Sequence, residues 1–191
     1  MSDSSRTSIF DLLLLGKPAV EEISTSIAIE ATVTELFEQF RRGMLRYIGS
    51  LGLSVHDGEE IVQEVFLLLF QHLCDRKPQE NLRGWLFRVA HNLALKRRIA
   101  NQAATKTTCC ISADEHHDPR PSPEDHLFFQ QRRDRLLSVL HALPERDQCC
   151  LYLRAEGLQY REIAGVLDIS LGSVSKSLAR AIRRLSNADR W

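Results

Sequence analysis

Apolar residues recur at helical intervals along almost the whole chain, and no stretch shows the alternation of period two that a half-buried strand needs. After a leader without clear periodicity, Val33, Phe37, Phe40, Met44, Tyr47, Ile48 and Leu51 follow one another at steps of three and four. Thr32 and Glu35 have the spacing of a capping box at the start of that run, and Gly52 is placed to end it. Asp57, with Glu60 three residues on, opens a second helix whose stripe is Ile61, Val62, Val65, Phe66, Leu69 and Leu73. Asn81 is a cap for a third, with Trp85, Leu86, Val89, Ala90 and Leu93 on its packing side.

Beyond residue 100 the pattern stops. NQAATKTTCCISADEHHDPRPSP is polar and aperiodic, and reads as a flexible connector. Periodicity resumes at Ser122-Pro123-Glu124-Asp125, a cap, a first-turn proline and first-turn acids in the favoured order. One helix then runs through Leu136, Leu137 and Leu140; another starts at Pro144, passes Leu151 and Leu153, and is broken by Gly157. These elements predict an all-α chain of two small helical domains joined by a flexible linker. The expected divisions are a leader over 1–27, a helical domain over 28–100, a linker over 101–124 and a second domain over 125–191.

That second domain contains a helix-turn-helix. Ala164 is small where one helix crosses its partner closely, and Asp168-Ile169-Ser170 forms the turn. The following helix is expected to bury Val174, Leu178, Ile182 and Leu185, turning Lys176, Arg180, Arg183 and Arg184 elsewhere. Such a helix fits the major groove, with early residues at base edges and later cations on phosphates. An ordinary helical hairpin with a solvated basic face is the competing reading. Asp168 stands where glycine is commonest in this turn, and aspartate tolerates the left-handed conformation better than most residues.

Charge sharpens the division. The 25 Lys and Arg balance the 25 Asp and Glu, yet residues 83–98 hold five cations and no acid. Residues 126–191 hold 11 cations and 7 acids, net +4, and residues 112–125 hold five acids and one arginine, net −4. Within the first basic run, Arg88, Asn92 and Lys96 recur every fourth residue, a polar row beside the packing stripe. Cations on such a row can follow a single strand while asparagine bonds a base edge. Trp85 is either core or a stacking platform there.

Three blocks taken together resemble the extracytoplasmic-function (ECF) group of bacterial RNA polymerase sigma factors. DGEEIVQEVFLLLF (57–70) and LRGWLFRVAHNLALKRR (82–98) are similar to blocks of that family's first conserved domain; LPERDQCCLYLRAEGLQYREIAGVLDISLGSVSKSLARA (143–181) is similar to its second. The likeness covers residues 34–185 in order. It implies a factor that gives core RNA polymerase its promoter specificity and helps open the promoter, a DNA-binding regulator of transcription initiation rather than an enzyme. Asp57, Glu60, Gln63 and Glu64 would dock on the clamp helices of the largest polymerase subunit, with Glu59 nearby, and the flap would be a further contact. Asn81, Arg83, Arg88, Asn92 and Lys96 would serve the −10 element, with the loop 74–81 as the wall of a base pocket. Ser173, Ser175, Lys176, Ala179, Arg180, Arg183 and Arg184 would serve the −35 element. An anti-sigma factor is a habitual partner in the family.

The chain departs from the family at Lys96, where aspartate is common, and at Ser175 and Ser177, where cations are usual; a different −35 preference is expected. The acidic connector is either a nucleic-acid mimic near the polymerase cleft or a plain tether.

The five cysteines include two adjacent pairs, which is not a disulfide framework. Cys109-Cys110 with His116-His117 has poor spacing for tetrahedral zinc, and Cys149 and Cys150 read as small core residues. No metal, cofactor or catalytic residue is expected. Residues 12–15 are too short an apolar run to span a bilayer, so no membrane insertion and a cytoplasmic location are expected. A stand-alone repressor or activator would leave the Gln63–Glu64 helix unexplained, a pure adaptor the cations around Lys176 and Arg180, and a hydrolase lacks a catalytic set.

Overall fold

A computed structural model describes residues 17–75, 77, 80–105 and 123–188, which form seven helices and no strand. They are α1 Lys17–Ser50, α2 Val55–Cys74, α3 Leu82–Thr105, α4 Pro123–His141, α5 Glu145–Ala155, α6 Tyr160–Leu167 and α7 Leu171–Ala188.

The first three make one bundle. Met44, Tyr47 and Ile48 of α1, Ile61, Val65 and Leu69 of α2 and Leu86, Phe87 and Ala90 of α3 are all but excluded from water. Edge-to-face rings lock the seams, with Phe37 against Phe66 at 5.0 Å and Tyr47 against Phe87 at 6.0 Å. Gly52, at φ +81°, ends the α1 region as expected, since the left-handed region costs glycine nothing.

Two starts differ from the expectation. α1 runs straight through Thr32 and Glu35 and begins at Lys17, within the leader; the Thr32 hydroxyl donates to the Ala28 carbonyl one turn back, 2.9 Å away, rather than capping. The α2 cap is Ser54, not Asp57. Its Oγ accepts from the Asp57 amide at 3.1 Å and donates to Asp57 Oδ2 at 2.7 Å, which puts Asp57 inside the first turn. At α3 the expectation is met, as Asn81 takes φ +56° and its Oδ1 accepts from the Gly84 amide at 3.1 Å.

α4 to α7 form the second module. α6 meets α7 at a tight corner where Asp168 adopts the left-handed conformation, φ 52° and ψ 49°. Val174, Leu178 and Ala181 are buried, but Ile182 is 52% exposed, against the expectation that it faces the core. At 100° per residue, Ala181 completes the stripe started by Val174 and Leu178, and its small side chain permits the close approach; Ile182 falls beside it.

The modules also pack on one another. α6 lies on α3 and α5 lies on α1, so Cys149, Cys150, Leu153, Leu158, Ile163 and Val166 join a core continuous with that of the first bundle. Its polar rim holds Arg46 against Glu156, Arg83 Nη1 on the Gly157 carbonyl at 3.1 Å, and Arg98 against Glu145. No helix among the described residues is long and apolar enough to cross a membrane.

Candidate nucleic-acid and polymerase interface

The helix-turn-helix is set by local chemistry. Ser170 Oγ accepts from the Ser173 amide at 3.2 Å and meets Ser173 Oγ at 2.9 Å, which caps α7 and occupies the Ser173 side chain. The Ile169 amide reaches back to the Ala164 carbonyl at 3.1 Å, closing the turn. On the side of α7 away from the core, Ser175, Lys176, Ala179, Arg180, Arg183 and Arg184 are exposed, so six of the seven residues proposed for this helix share an open surface with Ser173 half-buried at its edge. Leu171 and Ile182, exposed apolar side chains, flank it.

Arg180 is the exception in its bonding. Its Nε donates to Asp147 Oδ2 at 2.5 Å and its Nη2 to Asp147 Oδ1 at 2.7 Å, and Asp147, on α5, is wholly buried. The Arg180 guanidinium, with a further bond from Ser177, holds the Asp147 carboxyl below the usual carboxylate range. Lys176 and Arg183 have no ion-pair partner among the described residues.

On α3, Arg88, Asn92 and Lys96 are all exposed and form the open row that their spacing implies. The other three cations of that run are diverted inward. Arg83 sits over the Phe40 ring at 5.4 Å while bonding Gly157; Arg97 Nη1 bonds Asp57 and Glu60, each at 2.7 Å; Arg98 pairs with Glu145. Asn81 spends its side chain on the α3 cap. Trp85 is half-buried with the His72 ring 4.9 Å away, so it belongs to the packing. Of the loop after α2, Arg76, Pro78 and Gln79 lie outside the described residues, as do the acidic connector and Cys109, Cys110, His116 and His117.

Along α2 the four docking candidates separate. Asp57 and Glu60 are held by Arg97, with Asn101 Nδ2 donating to Asp57 at 3.2 Å, and the Ser54 bond together with Arg97 lowers the Asp57 pKa. Gln63 and Glu64 are exposed, and one turn on, Leu67 is 58% exposed. Sequence reasoning missed Leu67 because it lies within an apolar run, FLLLF, where no polar neighbour marks the outward position. It missed Asp147 too, whose signal was an acid on the same face as Cys150.

Among the described residues no group of His, Cys, Asp and Glu is placed to hold a metal ion. Burial pushes the Cys149 thiol up to about 11, which makes it a poor nucleophile in this packed state.

Two family descriptions match the chain: Sigma-70 region 2 over residues 36–104 and Sigma-70, region 4 over residues 133–185. The chain is 28% identical over 157 residues to the ECF RNA polymerase sigma factor SigE of Mycolicibacterium smegmatis, a match covering 79% of this chain and 59% of that relative. To the ECF RNA polymerase sigma-E factor of Escherichia coli K12 it is 26% identical over 140 residues, covering 69% and 73% of the two chains. The chain thus spans less than two thirds of the length of the first of these relatives. In fold it is similar to the sigma factor RpoE of Bartonella quintana, solved with the anti-sigma factor NepR, at a TM-score of 0.62 and 16% identity over 81% of this chain and 94% of that one.

Proposed function

The chain belongs to the ECF group of RNA polymerase sigma factors, and on that premise we propose that it directs core RNA polymerase to specific promoters and assists their opening. The observation that carries the reading is the pairing of two open polar surfaces on separate modules. One is the Arg88–Asn92–Lys96 row on α3, suited to the unpaired −10 strand; the other is the exposed face of α7, suited to the −35 major groove. Gln63, Glu64 and Leu67 form the docking surface for the polymerase clamp helices, with Leu67 as the apolar anchor among polar neighbours. Asp57 and Glu60 shape that helix from behind through Arg97. The acidic connector joins the modules without a contact role of its own being required.

Boxes named −10 and −35 are about 25 base pairs apart, roughly 85 Å at 3.4 Å per base pair. A compact chain of this length is about 40 Å across. The packed arrangement is therefore the free form, and on polymerase the seam between α1/α3 and α5/α6 opens. The work is cytoplasmic, where polymerase and genome are. By likeness to the Bartonella protein, which is solved with an anti-sigma factor, a protein of that kind is a fitting regulator.

The test is run-off transcription with host core polymerase and genomic fragments. Specific new start sites that depend on the chain are expected. Stable assembly with core that leaves the start sites unchanged would overturn the reading.

A further inference from the structure

We propose that Asp147 is a positioning residue for −35 recognition, holding the Arg180 guanidinium in a fixed orientation from beneath the recognition helix. This rests on the reading that α7 enters the major groove.

Asp147 lies in the first turn of α5, on the face that also buries Cys150 and Leu153, and it has no exposed surface. An aspartate there is expensive unless its charge is matched, because a buried carboxylate loses its hydration. Ser177 and Arg180, both on α7, match it. The two Arg180 bonds use the Nε and Nη2 edge, one to each carboxylate oxygen, a fork-on-fork geometry that fixes both the plane and the direction of the guanidinium. The Arg180 side chain stays 44% exposed while its partner is fully buried, so the carboxylate holds the guanidinium from inside and leaves Nη1 out of the fork.

That arrangement has a consequence for recognition. A free arginine must surrender much of its rotamer freedom when it meets a base edge or phosphate; a clamped one has already done so. Removing Asp147 would leave the cation in place and its general attraction to DNA intact, but would let it wander among neighbouring acceptors. Ser175 and Ala179 bring no charge to this exposed face, so Lys176, Arg180, Arg183 and Arg184 carry it, and the orientation of each weighs on recognition.

The experiment uses the full chain bound to host core polymerase. A duplex library randomised across the −35 and −10 boxes is first selected by the wild-type holoenzyme, and the enriched duplexes are the probe. Arg180→Ala is expected to lose at least about fivefold of the discrimination at one or two −35 positions. Asp147→Asn is expected to relax the same positions, to leave the −10 preference alone, and to add nothing in the Arg180→Ala background. Arg180→Lys keeps a positive charge beside the buried Asp147 carboxylate and loses the fork; it is expected to keep the salt dependence of binding and lose the discrimination.

If Arg180→Ala selects the wild-type sequences, the groove assignment of Arg180 fails, and the role of Asp147 with it. If Arg180→Ala relaxes the −35 box but Asp147→Asn and Arg180→Lys do not, the assignment stands and the positioning role is overturned. A purely structural Asp147 would give a third pattern, weakening both boxes equally and lowering stability to the same extent with or without Arg180; that result also overturns the proposal.

Discussion

Arg46 on α1 bonds Glu156, beyond the end of α5, through both Nε at 3.2 Å and Nη2 at 2.7 Å, and so ties the two modules together across the seam. The Glu156 carboxylate sits directly over Gly43, where any side chain on α1 would overlap it. A glycine within a long helix costs about 1 kcal/mol relative to alanine, and here the space it leaves is used by the partner module.

Gly43→Leu should therefore displace the Glu156 carboxylate, break its bonds to Arg46 and loosen the seam. Cys149, buried in the packed form where it meets Tyr47 of α1, becomes accessible when the seam opens. In a background with Cys74, Cys109 and Cys110 changed to serine, thiol labelling should accelerate by at least about tenfold, as expected when an opening equilibrium shifts by 1.4 kcal/mol. Labelling as slow as that of the glycine parent would remove the seam from the account.

The first turn of α2 should be the acid-sensitive point of the first module. The Asp57 pKa is lowered by Ser54 and Arg97, and that of Asp147 by Arg180. For a depressed carboxylate the stabilisation is complete above its unfolded value near 3.9 and is lost as pH falls through the lower folded value. Burial and Arg98 hold the His91 imidazole below its usual value, so the thermal midpoint should ease down as pH falls below about 6.5 and fall more steeply below about 4. Asp57→Asn should flatten that drop, and Asp57→Ala should cost about 1–2 kcal/mol at neutral pH. An acid limb unchanged in Asp57→Asn would contradict the assignment.

On the proposed docking surface, Leu67→Ala and Glu64→Lys should weaken association with core polymerase by about tenfold, without changing the unfolding transition. Both residues are exposed, so neither change disturbs the core. Co-purification with core at the wild-type level for both would relocate the contact.

The five cations of residues 83–98 should divide into two classes by experiment. Arg88→Ala and Lys96→Ala should each lower the salt slope of holoenzyme binding to a single-stranded −10 oligonucleotide by about 0.7, with stability intact. Arg97→Ala should instead lower stability, because it removes the cation that Asp57 and Glu60 share. Equal slopes for Arg88→Ala and Arg97→Ala would show that the outward row does not follow the backbone.

Much of this protein is readable along the chain because its elements are local. Helical periodicity placed the apolar stripes of α2 and α3, the cap at Asn81 and the left-handed turn at Asp168, each governed by interactions within a few residues. The Arg88–Asn92–Lys96 row followed from the same period. Where α1 begins was not legible, since Thr32 and Glu35 have cap spacing but nothing in 17–31 stops a helix from running through them. Nor could sequence tell Ile182 from Ala181 as the core residue, because the choice depends on how closely another helix approaches.

What only the tertiary structure decided is which charges are spoken for. Arg88 and Arg97 are the same residue type on one helix, yet one faces water and the other is held by two acids from a different helix. Asp147 and Arg180 stand 33 residues apart, and Arg46 and Glu156 stand 110 apart. Helix caps and stripes obey the chain's own geometry, whereas an ion pair at such separation exists only once packing has brought two distant backbones within reach of two side chains.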